Sequence, residues 1–523
     1  ETATTGWGLG SWGGQQQGQF TSTLSSGINA SVTSLTLASA SSFASSGTVQ
    51  IGTELITYTG NSGNTLSGLT RGASGTTAAI HSSGATVTDA SNYFAWNSAA
   101  SGDIVTAPGL WSLDNFGNKL IATINGGESF EWDSNPTTAN ATRATIISGA
   151  PTSSAFSLVS TPDRHLIFFG TETTIGTKST QDPMFVRFSS QEDINTYAPS
   201  ATNTAGTQRL ADGSKIVGAI RGRDAIYVWT DTALFTMRFV GPPFTFSFQQ
   251  VGTNCGLIGQ NAAVEVDGTA YWMSENGFFR YTGRLESLPC LVEDHVFDDI
   301  NTIPKQHINA GLNNLFGEVM WFYPNSGSGT VNRMVTYNYL DSSAERPVWT
   351  TGTLARTAWQ DSAVFGKPHA TEYDTSSNGT SGSSTFVQGN VDGVSYYYEH
   401  ETGLDQIREG ATTSITASIE SGDFDIGQQG LAGDGEFMMK IRRVLPDFLA
   451  QTGDARLTLN LRDFPNDTQA SSSLGPFIVN NSTKKIDTRA RARSISLKID
   501  NTSTSQFWKL GTFRIDYQPD GRR

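Results

Sequence analysis

The chain of 523 residues is long enough for two to four domains whose cores need no disulfide framework, and it contains only two cysteines. Charged residues make up 16% of the chain and glycine occurs 55 times, which argues against long Lys/Glu-rich helices. The net charge of −14 argues against ordinary nucleic-acid binding, which depends on cations that neutralise phosphates. No window approaches the roughly 18–20 apolar residues of a membrane-spanning helix, so we expect no such segment.

The first part of the chain divides into an arm and a small module. Residues 1–19 are rich in glycine and glutamine and have no period that builds a core, which predicts a Gly/aromatic arm. Residues 20–98 contain a single Lys or Arg, Arg71, and consist of short alternating segments separated by Gly, Ser and Asn turns. This pattern predicts a small β-module that is inserted ahead of the larger domains.

Larger strand units follow over residues 99–412. They are NKLIATI at 118–124, HLIFFG at 165–170, DAIYVW at 224–229, TAYWM at 269–273, EVMWFY at 318–323 and GVSYYYEH at 393–400. The first five begin about 45–60 residues apart, a spacing typical of the four-stranded blades of a β-propeller. Several continue through a turn into a second aromatic strand, so we predict a β-propeller-like body of about five or six hairpin-built sheets.

Residues 413–523 contain longer alternating strands joined by polar loops, which predicts a C-terminal β-sandwich and makes the whole chain all-β. Residues 440–523 hold 15 Lys/Arg against 8 Asp/Glu, whereas residues 1–439 hold 19 against 40. The basic end could bind nucleic acid or dock against an acidic neighbour, and the second is the simpler arrangement in an assembly of like subunits.

Three arginines stand out in this basic end, in the run TRARARSISLKID. The two-residue period of a β-strand places Arg489, Arg491 and Arg493 on one face. We therefore predict that these three side chains contact a neighbouring subunit or another acidic protein, because complementary charge favours such contacts.

Residue types that could carry chemistry are present, but they lack partners at the spacing that chemistry requires. Cys255 has no nearby histidine to stabilise a thiolate, which favours a buried packing residue. The acidic cluster LVEDHVFDDI (291–300) lacks zinc and calcium spacings, which favours a solvated loop or a subunit contact. WSLDNFG only partly matches the aspartate turn of sialidase blades and does not recur. We therefore predict no catalytic, metal or cofactor site and no enzymatic activity.

Several segments, in this order, carry a family resemblance: WSLDNFGNKL, GPPFTFSFQQVGTNCGLIGQ, AYWMSENGFFRYTG, GEVMWFYPNSGS, RDFPNDT and the closing GRR. Together they span about residues 105–523, and they resemble the tail nozzle or tail-hub proteins of short-tailed phages, also called packaged-DNA stabilisation proteins. The chain departs from the family pattern in the inserted 20–98 module and in the absence of strands expected before GWGLGSWG.

The resemblance implies a structural virion protein in the phage tail, assembled in the bacterial cytoplasm. It implies a homo-oligomeric ring, commonly a hexamer, that lies below the portal and adaptor, bears tail fibres or a tail needle, and retains packaged DNA until ejection. Double-stranded DNA would pass through without sequence-specific binding, and an acidic bore would keep the duplex centred.

Two alternatives from other classes remain open. A propeller-fold glycan hydrolase or depolymerase would need a pair of carboxylates converging in a pocket. A receptor-binding adhesin would use the 20–98 module as its binding surface. Fold alone does not decide among these functions.

Overall fold

The structure is a computed structural model that describes residues 21–90, 110–133, 144–362, 365–374, 394–427, 430–431, 435–464 and 470–522. Within these ranges the regular elements are β-strands, one short α-helix (α1, Glu293–Phe297) and three 3-10 turns (Ala73–Gly75, Lys178–Thr180 and Lys305–His307). The all-β prediction is therefore confirmed. No helix in the described ranges is long and apolar enough to cross a membrane. The predicted arm at 1–19 lies outside the described residues.

The chain divides into two compact units, Glu1–His400 and Glu401–Arg523. The sequence places the start of the last domain at residue 413, twelve positions later, because the strand pattern changes there. Residues 1–400 carry 18 Lys/Arg and 32 Asp/Glu, whereas residues 401–523 carry 16 of each. The second unit as a whole is thus neutral, and the basic excess of 440–523 is offset by acidic residues between 401 and 439.

The small module contains two antiparallel sheets, with strand orders β1-β7-β3-β4 and β2-β6-β5. Its strands are β1 Thr21–Thr23, β2 Ser34–Thr36, β3 Gly47–Ile51, β4 Glu54–Tyr58, β5 Gly60–Ser62, β6 Thr65–Ser67 and β7 Thr86–Asp89. Alternation in β3 and β4 sends Val49 and Ile56, which pair across the hairpin, into one core together with Leu35 and Leu66. These residues therefore have a hydrophobic core of their own.

One carboxylate, Glu54, is fully buried in this module. Its oxygens accept hydrogen bonds from Arg71 Nε (2.7 Å) and Nη2 (2.8 Å), and from the backbone N–H groups of Gly72 and Ala79 (both 3.0 Å). Nε2 of His81 lies 2.8 Å away. Burial alone would raise the pKa of Glu54, but these donors, Arg71 first, lower it to about 2. The only Lys or Arg of the module is therefore its internal counter-ion.

The rest of the first unit is a series of six antiparallel sheets in the described ranges, five with four strands and the last with three. Sheets one to three comprise β8 Trp111–Phe116, β9 Lys119–Ile124, β10 Ser129–Asp133 and β11 Thr145–Ile146; β12 Phe156–Ser160, β13 His165–Phe169, β14 Phe185–Phe188 and β15 Gly206–Arg209; and β16 Ile216–Arg221, β17 Ile226–Thr230, β18 Ala233–Gly241 and β19 Thr245–Thr253. Sheets four to six comprise β20 Ala263–Val266, β21 Thr269–Ser274, β22 Gly277–Tyr281 and β23 Leu285–Ser287; β24 Asn309–Asn313, β25 Glu318–Tyr323, β26 Arg333–Asn338 and β27 Trp349–Gly352; and β28 Ala358–Gln360, β29 His369–Asp374 and β30 Val394–Glu399.

These sheets are arranged like propeller blades. Strands follow chain order within each sheet, and the first strand of each sheet contacts the first strand of the next, from β8 through β12, β16, β20 and β24 to β28. The first five strand units found in the sequence are the second strands β9, β13, β17, β21 and β25, and the sixth is β30. The second strands of sheets two to five are nearly continuous apolar runs that are buried on both faces, whereas β9 of the first sheet alternates between buried and half-buried residues. The propeller-like prediction is confirmed.

Tryptophan side chains tie neighbouring sheets together. Trp272 on β21 and Trp321 on β25 are fully buried, and their indole N–H groups donate to the carbonyls of Cys255 (2.9 Å) and Ala262 (3.0 Å). Trp229 holds the corresponding place on β17, yet its Nε1 has no hydrogen-bond partner within the described ranges.

This difference predicts unequal effects of one substitution. Trp272→Phe and Trp229→Phe remove similar volume, but only the first leaves a buried carbonyl without its donor. We expect Trp272→Phe to lower the free energy of unfolding by about 1–3 kcal/mol more than Trp229→Phe. Urea unfolding followed by far-ultraviolet circular dichroism measures the free energy of unfolding of both variants. Equal losses of stability would contradict the stabilising hydrogen bond from Trp272 to the carbonyl of Cys255.

The second unit is a β-sandwich. Its strands are β31 Asp405–Arg408, β32 Ala411–Ser414, β33 Ser418–Glu420, β34 Phe424–Gly427, β35 Gly430–Leu431, β36 Met439–Leu445, β37 Phe448–Thr452, β38 Ala455–Arg462, β39 Ser472–Val479, β40 Ile486–Ala492, β41 Ser494–Asp500, β42 Phe507–Leu510 and β43 Arg514–Pro519. A six-stranded sheet ordered β35-β34-β41-β38-β39, with β33 on β41, and a three-stranded sheet ordered β40-β36-β43 share one core. Leu459 and Ile495 enter this core from the large sheet, and Ile441 and Ala490 from the small one.

Candidate functional site

The three arginines predicted as contacts lie on or just beyond β40, an edge strand of the three-stranded sheet. Residues of β40 are alternately buried and exposed, so Ile486 and Ala490 face the core while Arg489 and Arg491 face solvent. Arg491 Nε lies 2.7 Å from Asp520 Oδ2. Arg489 is exposed and has no hydrogen bond or ion pair to any described residue.

Arg493 is placed differently, at the bend between β40 and β41. Its half-buried side chain donates to four backbone carbonyls: Asp463 (3.1 Å), Gly435 (3.0 Å), Glu436 (3.3 Å) and Arg522 (3.3 Å). These carbonyls belong to segments that are far apart in the sequence. Arg493 therefore holds the unit together internally, and the strand period did not reveal this because the strand ends at Ala492.

Further cations surround Arg489 on the same sheet. Position 440 of β36 is paired with Arg491, and the bulge in β36 brings Arg443 opposite Asp487, with 3.0 Å between Nε and Oδ1. We call this surface the basic sheet face; its six cations and three carboxylates within the described ranges are Lys440, Arg442, Arg443, Arg489, Arg491, Arg514, Asp487, Asp516 and Asp520. Arg442, Arg489 and Arg514 are exposed and have no ion-pair partner among the described residues, so the face has a surplus of available positive charge.

The cysteines do not form a reactive site. Cys255 is fully buried beside the indole of Trp272, and burial raises the pKa of its thiol to about 11. The half-buried Cys290 thiol has its pKa raised to about 11 for the same reason. Both thiols are therefore protonated at neutral pH, and Cys255 is the buried packing residue that the sequence predicts.

The aspartate of WSLDNFG, Asp114, lies within strand β8 rather than in a blade turn. Its Oδ2 accepts the backbone N–H of Val159 at 2.7 Å, and its Oδ1 pairs with Arg221 at 2.9 Å. The side chain therefore links the first sheet to the second and third. The partial match to a sialidase motif corresponds to a structural contact.

A buried polar cluster in the second sheet was not visible in the sequence. His165 Nδ1 lies 2.8 Å from Asp163 Oδ2, and its Nε2 lies 3.1 Å from Thr204 Oγ1. Ser160 donates to the other oxygen of Asp163. This order of carboxylate, imidazole and hydroxyl resembles a nucleophilic triad, but His165 is fully buried and has the ring of Phe246 5.1 Å away. The cluster therefore ties β12 and β13 to the β14–β15 connection that contains Thr204, and its only sequence signal is the short spacing of STPDRH.

An open cleft of about 440 Å³ lies beside the first and second sheets. Its lining includes Lys119, Arg164, Glu192 and Asp193, and the Arg164 and Glu192 side chains form an exposed ion pair of 3.0 Å. The acidic cluster at 291–300 is elsewhere, on and around α1, and the described residues contain no group of three metal-binding side chains.

No protein-family model and no curated protein sequence matches the chain. Similar solved structures include dihydro-heme d1 dehydrogenase NirN (10% identity, TM-score 0.31), with 63% of this chain covering 58% of that one. They also include the computationally designed Ika8 protein (9%, TM-score 0.31; 67% of this chain and 93% of that one) and BamB from Moraxella catarrhalis (12%, TM-score 0.27; 50% and 79%). The match to NirN spans less than two thirds of its length. The class of protein, all-β with a propeller-like body, follows from the sheets described above.

Proposed function

We propose that this chain is a structural component of a phage tail, a ring-forming nozzle or hub below the adaptor that retains and later conducts double-stranded DNA. The resemblance of residues 105–523 to that family supports the role, and the propeller-like body is compatible with it. The observation that carries the proposal is the basic sheet face, where three adjacent strands present Arg442, at the bulge of β36, together with Arg489 and Arg514 to solvent without partners among the described residues.

An exposed cationic sheet face suits an acidic protein neighbour. Complementary potentials guide association and set its orientation, and a rigid sheet keeps the guanidinium groups in register. The first unit of the chain has a surplus of carboxylates, so DNA would be repelled by the part of that surface that lines a channel. In this proposal the basic sheet face contacts the adaptor, and part of the acidic first unit lines the channel through which the DNA passes.

The proposal is tested by charge reversal on the face. We expect Arg442→Glu/Arg489→Glu to abolish binding to a purified adaptor ring, because four units of charge change at the contact. Lys484→Glu/Lys509→Glu makes the same change in net charge on other exposed positions of the unit and should bind normally. Negative-stain microscopy and co-sedimentation with the adaptor give the result, and equal binding by both variants would reject the role of this face.

A further inference from the structure

The hairpin β18–β19 projects from the third sheet. Both strands have nine residues, but their neighbour β17 begins at Ile226, opposite Met237, so residues 238–247 extend beyond the end of β17. The returning strand packs on the second sheet, where Thr245 and Phe246 are buried, so the part that faces solvent is the tip. The tip is apolar and exposed: Phe239, Val240 and Phe244 expose 43%, 54% and 77% of their surface, and Pro242 and Pro243 are also exposed. We call residues 238–247 the projecting hairpin.

The base of the projecting hairpin is basic. Arg238 is exposed on the hairpin, and Arg223 is exposed in the β16–β17 turn beneath it, next to Asp224. Neither arginine has a hydrogen bond or ion pair to a described residue. Large apolar side chains bordered by arginine are typical of the energetic centres of protein interfaces. Exposing several large apolar side chains of one tip to water is unfavourable, which points to a partner that covers them.

A surface of opposite charge lies in the connection between the fourth and fifth sheets. There Leu291 and Ile303 expose 76% and 88% of their surface, on either side of α1. Glu293, Asp294 and Asp298 are exposed between them, and none has an ion-pair partner among the described residues. We call residues 291–303 the acidic loop. It combines exposed apolar side chains with unpaired carboxylates, as the hairpin combines them with unpaired arginines.

The two surfaces lie at opposite ends of the strands. Successive antiparallel strands place the β18–β19 turn at the same end as the β16–β17 turn, whereas each connection to the next sheet leaves from the other end. The acidic loop is such a connection, and a Cβ at Gly277 in the β21–β22 turn would lie 3.2 Å from Glu293 Oε1. One copy therefore cannot bring its own hairpin and loop together without unfolding.

We propose that the projecting hairpin of one copy docks against the acidic loop of a second copy. This inference rests on the proposed ring and names its contact between subunits. The contact joins two different surfaces of the chain, so each copy can bind one neighbour through its hairpin and another through its acidic loop. Such head-to-tail contacts form a closed ring when the repeated rotation from copy to copy returns to the first copy. A lipid surface would also accept an apolar tip with arginines at its base, but it would leave the apolar and acidic loop without a role.

Assembly measured by mass photometry and sedimentation velocity tests the contact. We expect Val240→Ser/Phe244→Ser to weaken the association of copies by about tenfold or more. Ile80→Ser/Ile407→Ser removes two equally apolar, exposed side chains (79% and 66%) from other places and should assemble as the wild type does.

A charge swap makes the test specific. Arg238→Glu alone and Asp294→Arg alone should each weaken assembly, because each places like charges across the contact. The double variant should restore assembly, since it exchanges the signs and keeps the pair. Restoration cannot be explained by misfolding of either single variant.

The outcomes separate this inference from the proposed function. A wild-type chain that stays monomeric at every concentration overturns both. Rings that form equally well in all of these variants overturn the docking of the hairpin and leave the ring intact. If Val240→Ser/Phe244→Ser assembles normally but no longer sediments with anionic phosphatidylserine vesicles, the hairpin binds lipid and the inference is wrong.

Discussion

Glu54→Gln should destabilise the small module by about 3–5 kcal/mol, the cost of breaking a buried ion pair by removing one partner. The side chain of Arg71 is only 7% exposed, so its guanidinium would remain in the interior without a counter-charge. The amide of glutamine would also direct an NH2 group at donors that now point to a carboxylate oxygen. Hydrogen exchange of the amides of β3 and β4, monitored by mass spectrometry, reports the stability of this part of the chain.

The same carboxylate makes the stability of the module depend on pH. Because the folded-state pKa of Glu54 is lowered from its usual 4.5 to about 2, its contribution is complete above pH 4.5 and is lost as the pH falls toward 2. The loss is about 3 kcal/mol at 1.36 kcal/mol per pKa unit. The Glu54→Gln variant lacks this titration, so the wild-type and variant stabilities should converge in acid.

Glu192→Gln is the matched control. It changes the same chemical group in an ion pair with Arg164 whose two side chains are 57% and 47% exposed. Surface pairs contribute about 0–1 kcal/mol, so exchange of the module amides should not change. A Glu54→Gln variant as stable as this control would show that the hydrogen bonds to Glu54 contribute little.

Arg493→Met should destabilise the second unit by about 2–3 kcal/mol, because the donors of several backbone carbonyls are lost together. Methionine keeps most of the volume and the flexible stem but cannot donate. Arg489→Met, four residues earlier in the same run, removes an exposed guanidinium without partners among the described residues and should change stability by less than about 0.5 kcal/mol. Thermal unfolding followed by circular dichroism compares the two variants.

Adaptor binding separates the two arginines further. If Arg493 acts inside the unit, Arg493→Met should bind the adaptor normally at temperatures where it is folded. A folded Arg493→Met variant that cannot bind would instead return this residue to the contact surface, as the strand period first suggested. An unchanged melting temperature would contradict the internal role described for its four hydrogen bonds.

The propeller-like body was predictable because its second strands carry the strongest local signal. HLIFF and IYVWT are buried on both faces, so each is a short continuous apolar run bounded by turn residues. Their spacing follows from the length of a four-stranded sheet with its turns. In the sixth sheet the sequence pattern identified the third strand, β30, instead of the second. This strand is an aromatic run in which exposed and half-buried residues alternate.

Features that depend on distant parts of the chain were not predictable from local pattern. Thr204 reaches His165 across 39 positions, and Arg493 reaches Gly435 across 58, distances at which periodicity carries no information. The exposed length of the β18–β19 hairpin depends on where its neighbour β17 begins. The net charge of the last domain also differs from the expectation, because the second unit begins at residue 401 and includes the acidic residues between 401 and 439. The composition does not change sharply at residue 401, so the sequence did not mark this boundary.

The two protonated and shielded thiols have a practical consequence for spectroscopy. Alkylating reagents attack thiolates, so Cys255 and Cys290, each with a pKa near 11, should label slowly in the folded chain at neutral pH. A cysteine introduced at position 244, where the side chain is 77% exposed, should label far faster. A single fluorophore could then be attached at that position without removing either native cysteine, which makes subunit exchange measurable by energy transfer.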